Sequence, residues 1–457
     1  MSHPQANVNL SSTTPPLEKN QPKVISAWCF YDWANSVYNL TITTTIFPVY
    51  YSAVTQEAFG GAMVNFWGTR LSNTVLYGYA ISFSYLIIVF LSPVLSGIAD
   101  YAGKKKRFMQ FFTYLGSAAC LGLYFFTGEN IEYGITCSVL ASIGYAGALV
   151  FYNAFLPEIA TSDQMDRISA KGFSLGYTGS VILLVINLAV ISQYEWFGFS
   201  SKLMATRCAF LQVGIWWLAF SQIAFYYLKD RSNPHRITSH ILGKGFHELK
   251  VVLQNIRKQE AMPWFLLSFF MYSMGVQTVI LLAPLFGKSV IGLSGDTLIM
   301  TVLLLQIVAI AGSQLFAWIA SRRGNKLALG LCLGIWIAVC IGGYFLTTET
   351  QFFVLAAFLG LVLGGTQAIS RSTYSKLIPA DTSDTASYFS LYDVSEKLAI
   401  VIGTFSYSFI DQITHNMRYS LLAMIVFFAL GLAFLLMIRL GRSQRQAAGQ
   451  SPALSNH

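Results

Sequence analysis

Apolar residues in this chain do not alternate with polar ones. They run in long blocks, with few or no charges inside, separated by short polar breaks. Twelve blocks stand out, at 24–54, 75–99, 108–128, 132–156, 172–192, 208–228, 263–287, 296–320, 327–347, 351–375, 385–410 and 419–439. Each has the roughly 20 residues that an α-helix needs to cross a bilayer. The blocks lack the period-two alternation of a membrane β-barrel. The predicted fold is therefore all-α and integral to the membrane, with twelve transmembrane helices. The polar stretch 1–22 has no basic segment leading into an apolar one, so it reads as a disordered tail rather than a signal peptide, and 441–457 reads as a second tail. The longest connection, 229–262, divides the chain into six-helix bundles at 23–228 and 263–440. Within it Phe246, Leu249, Leu253 and Ile256 repeat at helical spacing, which predicts an amphipathic helix on the membrane surface.

Composition agrees. Of 457 residues, 54% are hydrophobic and 11% charged, against about 25% charged in soluble domains. A water-soluble globular protein is excluded. The net charge of +9 is a topology signal rather than a nucleic-acid signal. With an inside N-terminus, 22 Lys and Arg fall on the inner side and 5 on the outer. That split places both termini in the cytoplasm of a multi-pass protein of the cell (inner) membrane. Six cysteines lie in or beside apolar blocks without a CxxC pair, and no histidine lies mid-block, so no metal or other cofactor is expected. No HExxH, GxSxG or P-loop is present, so an enzyme is not expected.

The two halves repeat. SGIADYAGKK at 96–105 aligns with AWIASRRGNK at 317–326, FLPE at 155–158 with LIPA at 377–380, and FSLGY at 173–177 with FSLYD at 389–393. Repeated halves around a central path are a transporter architecture. The Ala99-Asp100, Gly103, Lys104 and Lys105 core of the first segment resembles the loop between spans 2 and 3 of the major facilitator superfamily, with Ser96 and Tyr101 departing from that pattern. WCFYDWANSVY (28–38), FYNAFLPEIA (151–160), RISAKGFSLGYTGS (167–180) and GGTQAISRSTYSKLIP (364–379) resemble the fungal autophagy-related vacuolar effluxers and their bacterial relatives. The resemblance implies alternating access, an amino acid as the solute, and export. It also implies that Asp100, with Gly103 and Lys104, holds a cytoplasmic gate against span 11. Ser321 occupies the matching place in the second half, so that copy of the latch looks weakened. Span 5 lacks the glycine-proline motif of drug/proton antiporters, which disfavours a multidrug exporter.

An ionisable group at a bilayer centre costs about 2.5–3.5 kcal/mol on insertion scales, so each one asks for a reason. In span 1, Asp32, Asn35, Ser36, Asn39 and Thr43 lie within about 60° of one line on an ideal helix. The stripe serves either a ligand, with Asp32 binding an ammonium or a proton, or hydrogen bonds between helices. Asp32 lies near the inner end of the span and is also a gate candidate. In span 11, Asp393 and Lys397 stand at i, i+4 and favour a salt bridge, which leaves Glu396 without a partner in its own helix. Glu396 is thereby the first candidate for proton coupling, with Asp393 and Lys397 beside it. Gln367 and Arg371 in span 10 form a candidate anion-binding face, unless Arg371 pairs with an acid of another helix. Tyr388 and Tyr392 are further candidates for solute contact, and Gly172, Gly176 and Gly179 form a small-residue stripe for close helix packing.

The reading is a monomeric secondary transporter of the major facilitator type, moving a small polar solute, most plausibly an amino acid, with protons. The alternatives are another small organic solute, or a membrane receptor or scaffold, which would not need the polar intramembrane stripe. Cysteines introduced at 240 and 324 should react with an impermeant thiol reagent only after cells are permeabilised; labelling in intact cells refutes the topology.

Overall fold

The structure, a computed structural model, describes residues 18–230 and 241–438. The tails expected at 1–22 and 441–457 fall, apart from residues 18–22, outside the described residues, as does 231–240 of the connection. The chain begins with α1 (Pro22–Tyr38), passes through a π-helical segment (Asn39–Thr45) and continues as α2 (Ile46–Phe59). A hairpin of β1 (Met63–Phe66) and β2 (Thr69–Ser72) follows. Then come α3 (Asn73–Ala102), α4 (Lys105–Gly122), α5 (Ile131–Ala154), the single turn α6 (Leu156–Ile159), α7 (Met165–Ser192), α8 (Lys202–Tyr227) and α9 (Ile241–Lys258). The remainder is α10 (Met262–Phe286), α11 (Gly295–Arg323), α12 (Asn325–Tyr344), α13 (Glu349–Leu377), α14 (Thr385–Thr414) and α15 (Met417–Met437).

Among the described residues, ten helices are long and apolar enough to cross a membrane. The other two predicted spans are also helical. The first is interrupted by the π segment, and α14 carries Asp393, Glu396, Lys397 and Asp411, which lower its hydropathy. The hairpin was not expected from the apolar blocks. Its turn, Trp67-Gly68, takes positive φ at both residues (46° and 81°), the backbone of a tight two-residue hairpin.

The predicted amphipathic helix is present as α9, packed against α3, α10 and α14. Its buried side is turned from the predicted one: Val252 and Ile256 are buried, whereas Phe246 and Leu253 are exposed. The partner surface selects that face, since α9 rests on protein on one side only.

The first six long helices meet the last six along two seams, α7 against α11 and α13, and α3 and α5 against α14. Close approach within the second half depends on missing side chains. A Cβ on Gly364 would lie 2.1 Å from the Ala309 carbonyl oxygen of α11, and one on Gly360 would lie 2.5 Å from that of Leu305. This GxxxG pair lets the α11 and α13 backbones touch. Gly364→Val should lower the melting temperature of detergent-purified protein by several degrees or abolish folding. Gly334→Ala, whose new Cβ meets nothing within 4 Å, should be neutral or slightly stabilising. Equal melting of the two variants would refute this packing.

Candidate functional site

The predicted inner end of the bundle is sealed by charges that cross from one half to the other. Asp100, at the end of α3, accepts the backbone N–H groups of Ala386 and Ser387 at 3.2 and 2.7 Å and the Ser387 hydroxyl at 2.7 Å. It thus caps the first turn of α14, where a carboxylate complements the helix dipole. Gly103 closes α3 in a left-handed turn. The neighbouring basic group is Lys105, not Lys104: the Lys105 ammonium reaches Asp100 at 3.0 Å, donates to Glu158, and donates to Ser383 O and Thr385 Oγ1 at 2.8 and 2.6 Å. Lys104 precedes α4 and contributes its backbone N–H to Ala99 O.

The second latch is rebuilt rather than weakened. Ser321 turns its hydroxyl back to Trp318 O of its own helix. Asp166, which opens α7, instead accepts from Asn325 of α12 at 2.7 Å and from Lys376 of α13. No sequence alignment of the halves brings Asp166 to this place, because the charge has moved to the opposite partner of the contact.

One layer deeper, Arg371 of α13 enters the first half. Its Nη1 and Nη2 each donate to Asp32 Oδ2 at 3.1 Å, Nη1 also donates to Asn153 Oδ1, Nε to Ser169 Oγ, and Nη2 to Ser169 O. All five guanidinium N–H groups therefore have acceptors. Tyr152 donates to the same Asp32 oxygen at 2.7 Å. The guanidinium lies 4.0 Å from the Phe173 ring and 4.8 Å from that of Trp28, close enough for cation–π attraction. Gly172 makes the space, since a Cβ there would lie 2.6 Å from Asp32 Oδ2. The candidate anion face of Gln367 and Arg371 is thus split. Arg371 is paired with an acid of another helix, while Gln367, one turn away, accepts from Tyr177 of α7.

The span 1 stripe divides as well. Asp32 and Asn35 are buried beneath this layer, and Ser36 donates to the Asn35 carbonyl oxygen. The π segment adds a residue to the turn, so Thr44 rather than Thr43 joins Asn39 on the cavity wall. That cavity, about 140 Å³ in volume, extends from the Tyr177–Gln367 layer toward the opposite end of the bundle. Its wall presents the amides of Asn39, Gln277, Gln306 and Gln367 and the phenols of Tyr177 and Tyr407 among Leu, Val, Ile and Phe side chains. None of the described residues lining it is charged. Gln277, Gln306 and Tyr407 escaped the sequence reading because a glutamine in an apolar span carries no charge to mark it. Tyr388 and Tyr392 are buried away from this wall; Tyr392 stacks on Phe269 at 4.0 Å between centroids.

Beside the cavity lies the α14 charge cluster. The Lys397 ammonium is shared by Asp393 at 3.3 Å and Glu396 at 3.1 Å. The expectation that Glu396 lacks a partner in its own helix is corrected here: adjacent residues share the cation because the flexible lysine stem bends back between them. Gln277 of α10 donates to the other Glu396 oxygen at 2.9 Å. Two carboxylates against one ammonium leave one acidic site in excess.

Removing either member of the Asp32–Arg371 pair leaves an uncompensated buried charge, at a cost of about 3–5 kcal/mol. Asp32→Asn and Arg371→Gln should each destabilise the purified protein strongly, and the double variant should lose less than their sum. Additive losses in that double-mutant cycle would show that the pair is not coupled.

The whole architecture can be set against known proteins. The family model described as "Vacuole effluxer Atg22 like" matches residues 20–448. An "Uncharacterized MFS-type transporter YxiO" from Bacillus subtilis is 32% identical over 91% of this chain and 95% of its own. "Autophagy-related protein 22" of Yarrowia lipolytica is 25% identical over 84% of this chain and 79% of its own. The solved E. coli fucose:proton symporter superposes with a TM-score of 0.64 at 16% identity, covering 91% of this chain and 97% of that one, a likeness of fold. A family match over nearly the whole length, on a helical bundle of this type, means that the chain belongs to the Atg22-like vacuole effluxer family of major facilitator transporters.

Proposed function

We propose that the chain exports a small polar solute, most plausibly an amino acid, by proton-coupled alternating access in the cell membrane, with both termini in the cytoplasm. The bundles 23–228 and 263–440 rock against each other across the 229–262 connection. The observation that carries this reading is one hydrogen bond: Gln277, on the wall of the cavity, donates to Glu396 of the excess-acid cluster. It puts a protonatable group one side chain behind the cavity wall.

Several features support the details. The amide groups suit the polar head of a solute, and the apolar wall suits its body. The carbonyl oxygen of Gln306 is shielded from solvent and has no hydrogen-bond partner among the described residues, so it suits a donor such as an ammonium. The Asp32–Arg371 pair and the two latches hold the inner end shut and must open in the other half of the cycle. The family's effluxer title favours export.

The test is transport into proteoliposomes of each of the twenty L-amino acids, radiolabelled, with and without an imposed pH gradient. At least one should accumulate against its gradient only when the pH gradient is present. Glu396→Gln should abolish that accumulation while solute counterflow persists. Accumulation by Glu396→Gln equal to that of wild type would refute the coupling role.

A further inference from the structure

The Gln277–Glu396 hydrogen bond has a direction. An ionised carboxylate only accepts hydrogen bonds, so the Gln277 amide must turn its NH2 group toward Glu396, as it does. Its carbonyl oxygen is then left for the cavity; no hydrogen bond to that oxygen is formed among the described residues. Gln306 lies on the same wall, and its carbonyl oxygen is buried without a hydrogen-bond partner among the described residues. With Glu396 ionised, the wall at Gln277 is therefore an acceptor, matched to a solute that donates, such as an ammonium. When Glu396 takes up a proton, its new O–H needs an acceptor. The Gln277 carbonyl within reach is the one that serves, and accepting the bond turns the amide over. The NH2 group then faces the cavity and repels the donor that the carbonyl oxygen had attracted.

We propose that Gln277 is a reversible amide relay that converts the protonation state of Glu396 into the donor or acceptor character of the solute site. The inference rests on the proton-coupling reading above and adds its sign. Proton and solute exclude each other at this site, which is the thermodynamic requirement of exchange, inward protons for outward solute. Gln277 is a positioning residue: it neither carries the proton nor accounts for all of the solute's contacts.

The electrostatic surroundings of Glu396 come from four helices. Asp393, Lys397 and Tyr392 belong to α14, Tyr85 to α3, Tyr145 to α5 and Tyr272 to α10. Lys397 stays paired with Asp393 when Glu396 is protonated, so the cluster passes from one excess negative charge to neutrality without stranding the ammonium. Asp393 Oδ2, buried and without a hydrogen-bond partner, is the competing site for the proton, and its variant belongs in the test.

The experiment measures binding of the radiolabelled amino-acid panel by scintillation proximity between pH 5.5 and 7.5. The variants are Gln277→Met, which keeps the side chain's length without its hydrogen bonds, Glu396→Gln and Asp393→Asn. For the tightest-binding member of the panel, wild-type affinity should fall severalfold as the pH is lowered across this range. In Gln277→Met the affinity should be flat within about twofold across the range, whatever its absolute value. A slope that disappears in Glu396→Gln but persists in Gln277→Met overturns the relay and leaves proton coupling at Glu396 standing. A slope that persists in both, or that only Asp393→Asn removes, overturns the relay and the Glu396 assignment together. Affinity that rises as pH falls overturns the exchange sign. A Gln277→Met melting temperature within a few degrees of wild type guards against misfolding as the cause of a flat profile.

Discussion

A guanidinium buried in a membrane protein must find an acceptor for every N–H it carries, because neither lipid nor packed side chains supply one. Arg371 meets this demand with acceptors that lie in the other half, so the pairing holds while the two halves are closed at the predicted inner end. The arginine is on α13, but its acceptors Asp32, Asn153 and Ser169 are on α1, α5 and α7. Trp28, Tyr152 and Phe173 surround it with ring faces, and Gly172 leaves the space it fills. The conformation seen here is thus held by a contact that cannot be half-made. Its opening requires water or another partner to reach both charges, and this gives the two end states of a rocking transporter a discrete rather than gradual separation.

The remaining contacts are arranged around that centre. Below it, two charged contacts join α3 and α4 to α14, and α7 to α12 and α13, so two layers of charge cross between the halves. Above it, the Tyr177–Gln367 bond floors a cavity whose described wall is amide, phenol and hydrocarbon. Charge is kept out of that wall and placed just behind it, in α14. This separation has a physical benefit. In the proposed reading a solute meets neutral dipoles, while the costly charges remain in a cluster where they compensate one another.

Much of the fold was legible in the sequence, because the bilayer imposes a length and a composition on every span and sorts basic residues by side. The twelve apolar blocks fall on helices, the repeat and the motifs point to the major facilitator family, and the charged residues of spans 1, 10 and 11 all take part in buried contacts. Asp100 is placed against α14 as the loop motif implies. These readings need only local pattern and the scarcity of charge in an apolar span.

What tertiary structure decided is which charge meets which. Sequence spacing describes neighbours on one helix, so it paired Asp393 with Lys397 and left Glu396 alone, but the lysine stem reaches both acids. It allowed Arg371 an acid on another helix without saying which, and the partner, Asp32, is 339 positions away. An ideal helical wheel put Thr43 beside Asn39, and a π turn put Thr44 there instead. The glutamines of the cavity wall carry no charge and no motif, so only their convergence in space distinguishes them from amides that hold helices together. Composition determined that this chain crosses a membrane as a helical bundle; the packing of one half on the other determined which side chains converge on the cavity and which charges lie behind it.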